Sequence, residues 1–388
     1  MTSRFSFLQQ WLDELVPSGS LRTLRACEIA VASGEPATVI RGGRRLVNFG
    51  SNDYLGLAAA PSVDPTALPR GSGASPLVCG YTALHEQLCE ALAELERTEA
   101  VALFPTGYAA CSGVVSTLPQ RGDLILSDAL NHASLIDGCR LSRAEKRIYP
   151  HADVAAVAEL LVRHRREFER VWIVTDGVFG MDGDLAPLVE LCDLADRHDA
   201  LLIVDEAHGT GVLGEDGSGA CAALGVKSRV PIRIGTLSKA IGAQGGFVAG
   251  PRPVIDYLIN FCRPLIFSTA AAPAVIAAAL AGVNAVREEP QRRERVRRFA
   301  VTVRQALEIL ADDIAAEIPI IPIVVGDNAA AVRQAVAAEA AGMLIPAIRP
   351  PTVPEGTARL RVSLSAGHDQ EQIDRLIDFL RSICCRYH

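Results

Sequence analysis

The residues with the most evident chemistry lie in two glycine-flanked segments that each follow a short apolar run. Leu201–Val204 has the continuous apolar pattern of a strand buried on both faces of a parallel sheet, and Asp205 follows it directly. Ile232–Ile234 is a second run of this kind, and Lys239 follows it in a glycine-rich loop. Ligands of α/β sheets bind beyond the carboxyl ends of the strands, so we expect this acid and this amine to face a ligand.

Together the acid and the amine predict the chemistry of one cofactor. A lysine amine can form a Schiff base with a carbonyl, and an aspartate can keep a pyridinium nitrogen protonated, as pyridoxal 5'-phosphate (PLP) requires. Taken singly, a strand-end aspartate is more often a helix cap, and a loop lysine is more often solvated. His208 lies between the two in the chain, and this order strengthens the functional interpretation.

A phosphate site is predicted where Gly107 and Tyr108 open a helix of small residues directly after a strand. A helix N-terminus presents free N–H groups and a partial positive charge, which suits an anion. Thr236 would add a hydroxyl close to Lys239. This signal is weak by itself, because any tight turn can require a glycine.

Two other segments leave two interpretations open. His132 lies between a predicted strand and a predicted helix, where an imidazole either stacks on a planar ring or caps the helix. In residues 357–365, strand alternation places Arg359 and Arg361 on one face. Arginines that face a cleft bind a carboxylate through two parallel hydrogen bonds, whereas arginines on an exposed strand are only solvated.

The elements that position these residues alternate between strand and helix. Apolar runs predict the strands Val101–Phe104, Leu124–Leu126, Val171–Thr175, Leu201–Val204, Ile232–Ile234 and Phe247–Ala249. Helical periodicity predicts helices over Leu135–Ala144, Val154–Arg166 and Leu185–Arg197. This alternation indicates an α/β fold with a mostly parallel sheet covered by helices on both faces. The predicted domains are an N-terminal helix and arm (1–46), a large cofactor-binding domain (47–286) and a small α/β C-terminal domain (287–388).

Composition excludes several classes of protein. The net charge of −7 argues against a nucleic-acid surface, and the ten cysteines show neither CxxC spacing nor the spacing of a zinc site. Without a secretory signal, these cysteines predict reduced thiols in a cytoplasmic protein. Leu265–Val286 is uncharged but mostly alanine, which favours a buried helix over a membrane span.

Two charged or amphipathic stretches have simple interpretations. Apolar residues at helical spacing from Phe7 to Leu15 predict an N-terminal helix that packs on the body of the protein. Arg287–Arg298 holds six arginines and three glutamates, which predicts the solvated face of a long helix.

Six motifs taken together resemble the α-oxoamine synthases, fold-type I PLP enzymes that condense an amino acid with an acyl thioester and release carbon dioxide. The motifs are SNDYLG at 51–56, FPTGY at 104–108, NHAS at 131–134, VFGMDGD at 178–184, DEAHGTG at 205–211 and TLSK at 236–239. They follow the family's order from about residue 45 to residue 367. The resemblance implies the fold-type I architecture and a homodimer in which two subunits share each active site.

The resemblance also implies a role for each residue. Lys239 would hold the cofactor and move the α-proton, Asp205 would bind the ring nitrogen, His132 would stack on the ring, and His208 would contact its phenolic oxygen. Further cofactor contacts would come from Gly107, Tyr108, Gly180 and Thr236. Substrate contacts would come from Arg22, Asn52, His132, Thr352 and Arg361. Ser268 or Thr269 would reach the phosphate in the neighbouring subunit.

The sequence departs from the family at two positions and resembles one branch of it. Gly180 stands where a serine commonly anchors the cofactor, and Cys111 replaces a common asparagine. The segment Pro350–Arg361 resembles members that join L-alanine to a pimeloyl thioester, carried by coenzyme A or an acyl carrier protein. The alternatives are a member that uses glycine or serine with another acyl-CoA, or a non-catalytic subunit of this fold.

Overall fold

A computed structural model of the chain describes residues 4–17, 19–30, 35–60 and 68–384. Its strands are β1 Glu28–Ile29, β2 Thr38–Arg41, β3 Arg44–Asn48, β4 Ala100–Phe104, β5 Leu124–Asp128, β6 Glu145–Tyr149, β7 Val171–Asp176, β8 Ala200–Asp205, β9 Ile232–Thr236, β10 Gly246–Gly250, β11 Ile320–Gly326, β12 Met343–Leu344, β13 Ala347–Ile348 and β14 Ala358–Ser363. Its helices are α1 Ser6–Leu15, α2 Ala83–Glu96, α3 Gly107–Thr117, α4 Ala133–Leu141, α5 Val154–His164, α6 Leu188–His198, α7 Ala220–Ala223, α8 Arg252–Phe261, α9 Arg263–Ile266, α10 Pro273–Glu288, α11 Pro290–Ala306, α12 Asp313–Ala316, α13 Asn328–Ala340 and α14 Gln370–Cys384.

The chain divides into two compact units. The large unit comprises Asp53–Gly180 and Asp184–Arg297, and the small unit comprises Met1–Asn52, Met181–Gly183 and Arg298–His388. The N-terminal arm joins the C-terminal residues because β3 pairs in parallel with β12. This division into compact units does not test the domain bounds predicted at 46/47 and 286/287, which stay predictions.

The large unit is built on a seven-stranded sheet of order β4-β10-β9-β8-β7-β5-β6. The pairs from β9 to β6 are parallel, and β10 runs antiparallel to both of its neighbours. All six predicted strands are confirmed, and so is the mostly parallel sheet. The carboxyl ends of β5, β7, β8 and β9 therefore lie at one edge, where a ligand of such a sheet binds.

Close packing between α3 and α4, which lie beside one another on this sheet, depends on a glycine. Every residue of β7 is buried, and Val174 and Ile203 lie in one core cluster with Val114 of α3. At Gly138 of α4, a Cβ atom would come within 2.8 Å of the Val115 side chain, so only glycine permits this approach. The helix predicted over Leu265–Val286 is divided between α9 and α10, and α10 buries one face that includes Ile276. In the described ranges, no helix is both long and apolar enough to span a membrane.

The small unit contains two sheets. One has the order β1-β2-β3-β12, in which β2 and β3 form a hairpin. The other places β14 between β11 and β13, antiparallel to both. This second sheet carries the two arginines whose orientation the sequence left open.

One prediction about exposure is wrong, and another fails at one residue. No residue of α1 is buried, and Trp11 is 60% exposed, so its apolar face does not pack on the body of this single chain. Within the Arg287–Arg298 stretch, Arg293 is buried and donates hydrogen bonds to the carbonyl oxygens of Val286 and Glu215, each at 2.6 Å. This arginine is retained in the interior because backbone acceptors satisfy its guanidinium.

Candidate active site

The large unit brings the predicted acid, histidine and lysine to one edge of the sheet. Asp205 ends β8, His208 follows three residues later, and Lys239 follows the end of β9. Lys239 Nζ lies 2.8 Å from His208 Nε2, and the Tyr54 hydroxyl lies 2.7 Å from His208 Nδ1. An ammonium can only donate, so a protonated Lys239 would donate to His208 Nε2. A neutral His208 would then carry its ring proton on Nδ1 and donate it to the Tyr54 hydroxyl oxygen.

Asp205 is buried and held by two donors. Its Oδ1 accepts the backbone N–H of Ala207 at 2.8 Å, and its Oδ2 accepts the Cys111 thiol at 3.1 Å. Burial, followed by the charge of Asp205, raises the pKa of Cys111 well above its ordinary value. The thiol is therefore a neutral donor, and Cys111 orients the Asp205 carboxylate.

His132 caps α4. Its Nδ1 accepts the backbone N–H of Ser134 at 3.3 Å and lies 2.6 Å from the Ser134 hydroxyl. Burial lowers the pKa of His132, so the ring is neutral near pH 7 and carries its proton on Nε2. His132 therefore caps the helix in this structure, and its stacking on the cofactor ring stays a prediction.

The predicted phosphate turn lies against the end of β9. Thr106 caps α3 by accepting the N–H of Ala109 at 3.0 Å. At Gly107, a Cβ atom would stand 3.1 Å from the Thr236 hydroxyl oxygen, so the first turn of α3 and Thr236 are direct neighbours. Tyr108 is 46% exposed and donates its hydroxyl to Asp137. Backbone N–H groups and hydroxyls meeting at a helix start are suited to a phosphate.

Gly180 faces the histidine of this cluster. A Cβ atom on Gly180 would come within 2.3 Å of His208 Nε2. A serine, which is common in the family at this position, would therefore require the imidazole to move away from its observed place. The effect on cofactor affinity stays a prediction.

His151 is a charged group of this unit that sequence reasoning missed. Its Nδ1 lies 3.0 Å from Asp128 at the end of β5, and its Nε2 lies 2.8 Å from Asp184. Hydrogen bonds to these two carboxylates raise the pKa of His151 to about 10. The imidazolium joins the end of β5 to the segment that follows β7.

In the small unit, both arginines of β14 are buried, so the interpretation as solvated surface arginines is wrong. Arg361 donates to the Asn52 side-chain oxygen at 3.0 Å and to the Ser363 hydroxyl at 2.7 Å. Arg359 forms an ion pair with Asp182. All six residues of β14 are buried because strands flank it on both sides.

The predicted acyl-substrate residues also lie in the small unit. Arg22 donates to the carbonyl oxygen of Pro350 at 3.1 Å, and Thr352 lies two residues further on. Arg22 and the segment around Thr352 are therefore neighbours. In the large unit, Ser268 and Thr269 line a mostly apolar cavity of about 300 Å³.

The sequence contains only weak signals for Tyr54 and His151, the two residues of this site that the sequence analysis did not predict. Tyr54 lies inside the SNDYLG motif but received no role, and His151 follows a strand that has no apolar run. Within the described ranges, no group of three or more His, Cys, Asp or Glu side chains is placed to hold a metal ion.

Comparison with known proteins places this geometry among PLP-dependent enzymes. Residues 44–380 match the family model of class I and II aminotransferases. The 8-amino-7-oxononanoate synthase of Anaeromyxobacter dehalogenans strain 2CP-1 is 46% identical over 380 residues, which is 96% of this chain and 95% of that protein. The structure of Sphingomonas wittichii serine palmitoyltransferase matches with a TM-score of 0.89 at 31% identity, covering 98% of this chain and 97% of that one. A PLP-bound serine palmitoyltransferase from S. paucimobilis gives 0.88 at 28% identity, covering 98% of both chains.

Proposed function

The chain belongs to the class I and II aminotransferase family, and from that premise we infer that it catalyses the reaction of its 8-amino-7-oxononanoate synthase relatives. This reaction is the PLP-dependent, decarboxylative condensation of L-alanine with a pimeloyl thioester in biotin biosynthesis. The observation that carries the proposal is the 2.8 Å contact between Lys239 Nζ and His208 Nε2 at the carboxyl edge of the sheet. A non-catalytic subunit would not need this arrangement.

The residues of the large unit fit PLP. The buried Asp205 carboxylate suits a pyridinium nitrogen, and the close approach at Gly107 leaves backbone N–H groups and the Thr236 hydroxyl for a phosphate. Lys239 supplies the amine that would hold the cofactor covalently. When bound, PLP supplies an electron sink for the charge that develops on the α-carbon of the amino acid.

Proton movement falls to Lys239 and its partners. Its Nζ would take the α-proton of the amino acid, and His208 Nε2 lies within hydrogen-bond distance to orient that amine. Tyr54 in turn fixes the imidazole through Nδ1. Asp205, oriented by Cys111, would keep its partner nitrogen protonated. His132 would cover the ring and present its Nε2–H to the substrate.

The substrate contacts are assigned by resemblance and supported by the chemistry of the side chains. Arg361 and Asn52 would bind the carboxylate of L-alanine, since a guanidinium matches a carboxylate in geometry and charge. Arg22 and Thr352 would contact the acyl substrate, carried by coenzyme A or an acyl carrier protein. We further propose a cytoplasmic homodimer, in which Ser268 or Thr269 reaches the phosphate bound by the partner subunit.

The test is a matrix of amino acids and acyl thioesters. Cofactor-loaded protein is mixed with L-alanine, glycine or L-serine, each with pimeloyl-CoA, and the product is identified by mass spectrometry. We expect 8-amino-7-oxononanoate from L-alanine alone, and none from a Lys239→Ala variant. Turnover of none of the amino acids would refute the proposed function.

One second candidate has a specific observation behind it. The fold matches serine palmitoyltransferase over nearly the whole chain, with a TM-score of 0.89. The same assay with L-serine and palmitoyl-CoA separates the two, because product from that pair would replace the alanine assignment while keeping the family.

A further inference from the structure

A second buried carboxyl group, that of Asp176, lies at the same edge of the sheet as Asp205. Asp176 ends β7, and the parallel register of β7 with β8 pairs it with Asp205. It is 3% exposed. No role in the chemistry above falls to this residue, although it is adjacent to the carboxylate assigned to the ring nitrogen.

Asp176 is bonded to the residue that begins α4. Its Oδ2 accepts the backbone N–H of His132 at 2.7 Å. Its own N–H donates to the Asn131 side-chain oxygen at 3.0 Å, and the Asn131 amide donates to Ser127 Oγ at 3.0 Å and to the carbonyl oxygen of Val174 at 2.8 Å. The chain that carries His132 is therefore tied to β7 at two successive residues.

We propose that Asp176 is a positioning residue for the reaction, which acts through the backbone of His132 to set the place of its imidazole. The proposal rests on the proposed function, in which His132 covers the cofactor ring. The imidazole itself is restrained by the contact of Nδ1 with Ser134 and by an edge-to-face contact with the Tyr108 ring, whose centroid lies 6.4 Å away. With the backbone N–H held at Asp176 and Nδ1 held at Ser134, the ring presents Nε2 in one direction.

The surroundings of Asp176 favour its neutral form. Burial, and after it the charge of Asp205, raises the pKa of Asp176 well above its ordinary value, whereas the His132 N–H and Lys239 oppose the rise. Asp128 of β5 also faces it and raises its pKa further, and the neutral Cys111 thiol lies nearby on α3.

Asparagine gives a sharp test, because it keeps the side-chain oxygen that accepts the His132 N–H and carries no charge. The amide oxygen of Asp176→Asn can accept the same N–H, whereas Asp176→Ala leaves that N–H buried without its acceptor. We expect Asp176→Ala to lower kcat about tenfold and Asp176→Asn to lower it less than about threefold. If Asp176→Asn is as slow as Asp176→Ala, the role of Asp176 as the acceptor of the His132 N–H is refuted.

A double-mutant cycle separates positioning from a general structural role. In a His132→Ala background we expect Asp176→Ala to change kcat by less than about twofold, because the side chain it positions is gone. The matched control is Asp123→Asn, which alters another fully buried aspartate, at the amino end of β5, that accepts the Trp172 indole N–H. Its effect should be equal in both backgrounds. Equal effects of Asp176→Ala in both backgrounds would overturn the proposal.

A second readout does not depend on turnover. In cofactor-free protein labelled with ¹⁵N-histidine, the ring signals of His132, assigned by their loss in His132→Gln, should show protonation at Nε2 in the wild type and in Asp176→Asn. In Asp176→Ala we expect them to shift toward averaged values. Unchanged signals in Asp176→Ala would refute positioning, whereas an inactive wild type with the expected signals would refute only the proposed function.

Discussion

His151 offers a prediction whose size follows from the structure. The imidazole lies between the carboxylates of Asp128 and Asp184, at 3.0 Å and 2.8 Å, and its pKa rises from 6.5 to about 10. Replacing His151 with glutamine keeps one hydrogen bond within reach but removes the positive charge. Two carboxylates then face each other without a cation between them.

The free energy at stake follows from the pKa. Each pKa unit is worth about 1.36 kcal/mol, so the full rise corresponds to about 5 kcal/mol of folding stability. The His151 side chain is 26% exposed, and solvent screening reduces the expected contribution to about 2 kcal/mol. Because the pKa is higher in the folded state, this stability is fully present below about pH 6.5 and is lost as the pH rises to about 10.

The assay compares the urea-induced unfolding of cofactor-free wild type and His151→Gln between about pH 6 and pH 10. We expect a difference near 2 kcal/mol at the acidic end that shrinks steadily as the pH rises. His164→Gln is the control, because His164 pairs with one exposed carboxylate, and it should cost less than about 0.5 kcal/mol. A His151→Gln difference that stays constant with pH, or an NMR titration with a pKa near 6.5, would refute the reasoning.

Three further substitutions test other parts of the molecule. Arg233→Met leaves the fully buried Glu96 without its 2.8 Å partner and also unpairs buried carbonyl oxygens. We expect urea unfolding to show a loss of about 3–5 kcal/mol, recovered only in part when Glu96→Gln is added. Arg361→Lys replaces a planar donor by a point charge; steady-state kinetics should show KM for L-alanine raised about tenfold, with KM for the thioester nearly unchanged. Arg304→Met removes a buried guanidinium that donates to three carbonyl oxygens, and should lower the free energy of unfolding by about 3 kcal/mol; a change below about 1 kcal/mol would contradict the cost of unpaired buried acceptors.

The strands show why some of the fold is predictable and some is not. β7 and β8 are continuous apolar runs, and their burial follows from the hydrophobic effect alone. The sequence pattern does not predict β6, because the strand has no apolar run. Four of its five residues are exposed, and three of these are charged, as expected for an edge strand. β14 alternates in polarity, yet all of it is buried, because β11 and β13 flank it and its arginines find acceptors.

The candidate site divides in the same way. The positions of Asp205, His208 and Lys239 relative to the strand ends follow from the pattern of the chain. Tyr54 could not be assigned from pattern, since its partner His208 is 154 residues away. The contact of Cys111 with Asp205 spans 94 residues, and no local periodicity reports it.

The sequence by itself determined which groups are present and at which strand ends they lie, because hydrophobic periodicity and glycine positions are local properties of the chain. Only the tertiary structure decided which proton each group carries and what it touches. Burial and the neighbouring Asp205 raise the pKa of Asp176, and two carboxylates raise that of His151. Both shifts depend on strands packed from distant parts of the chain.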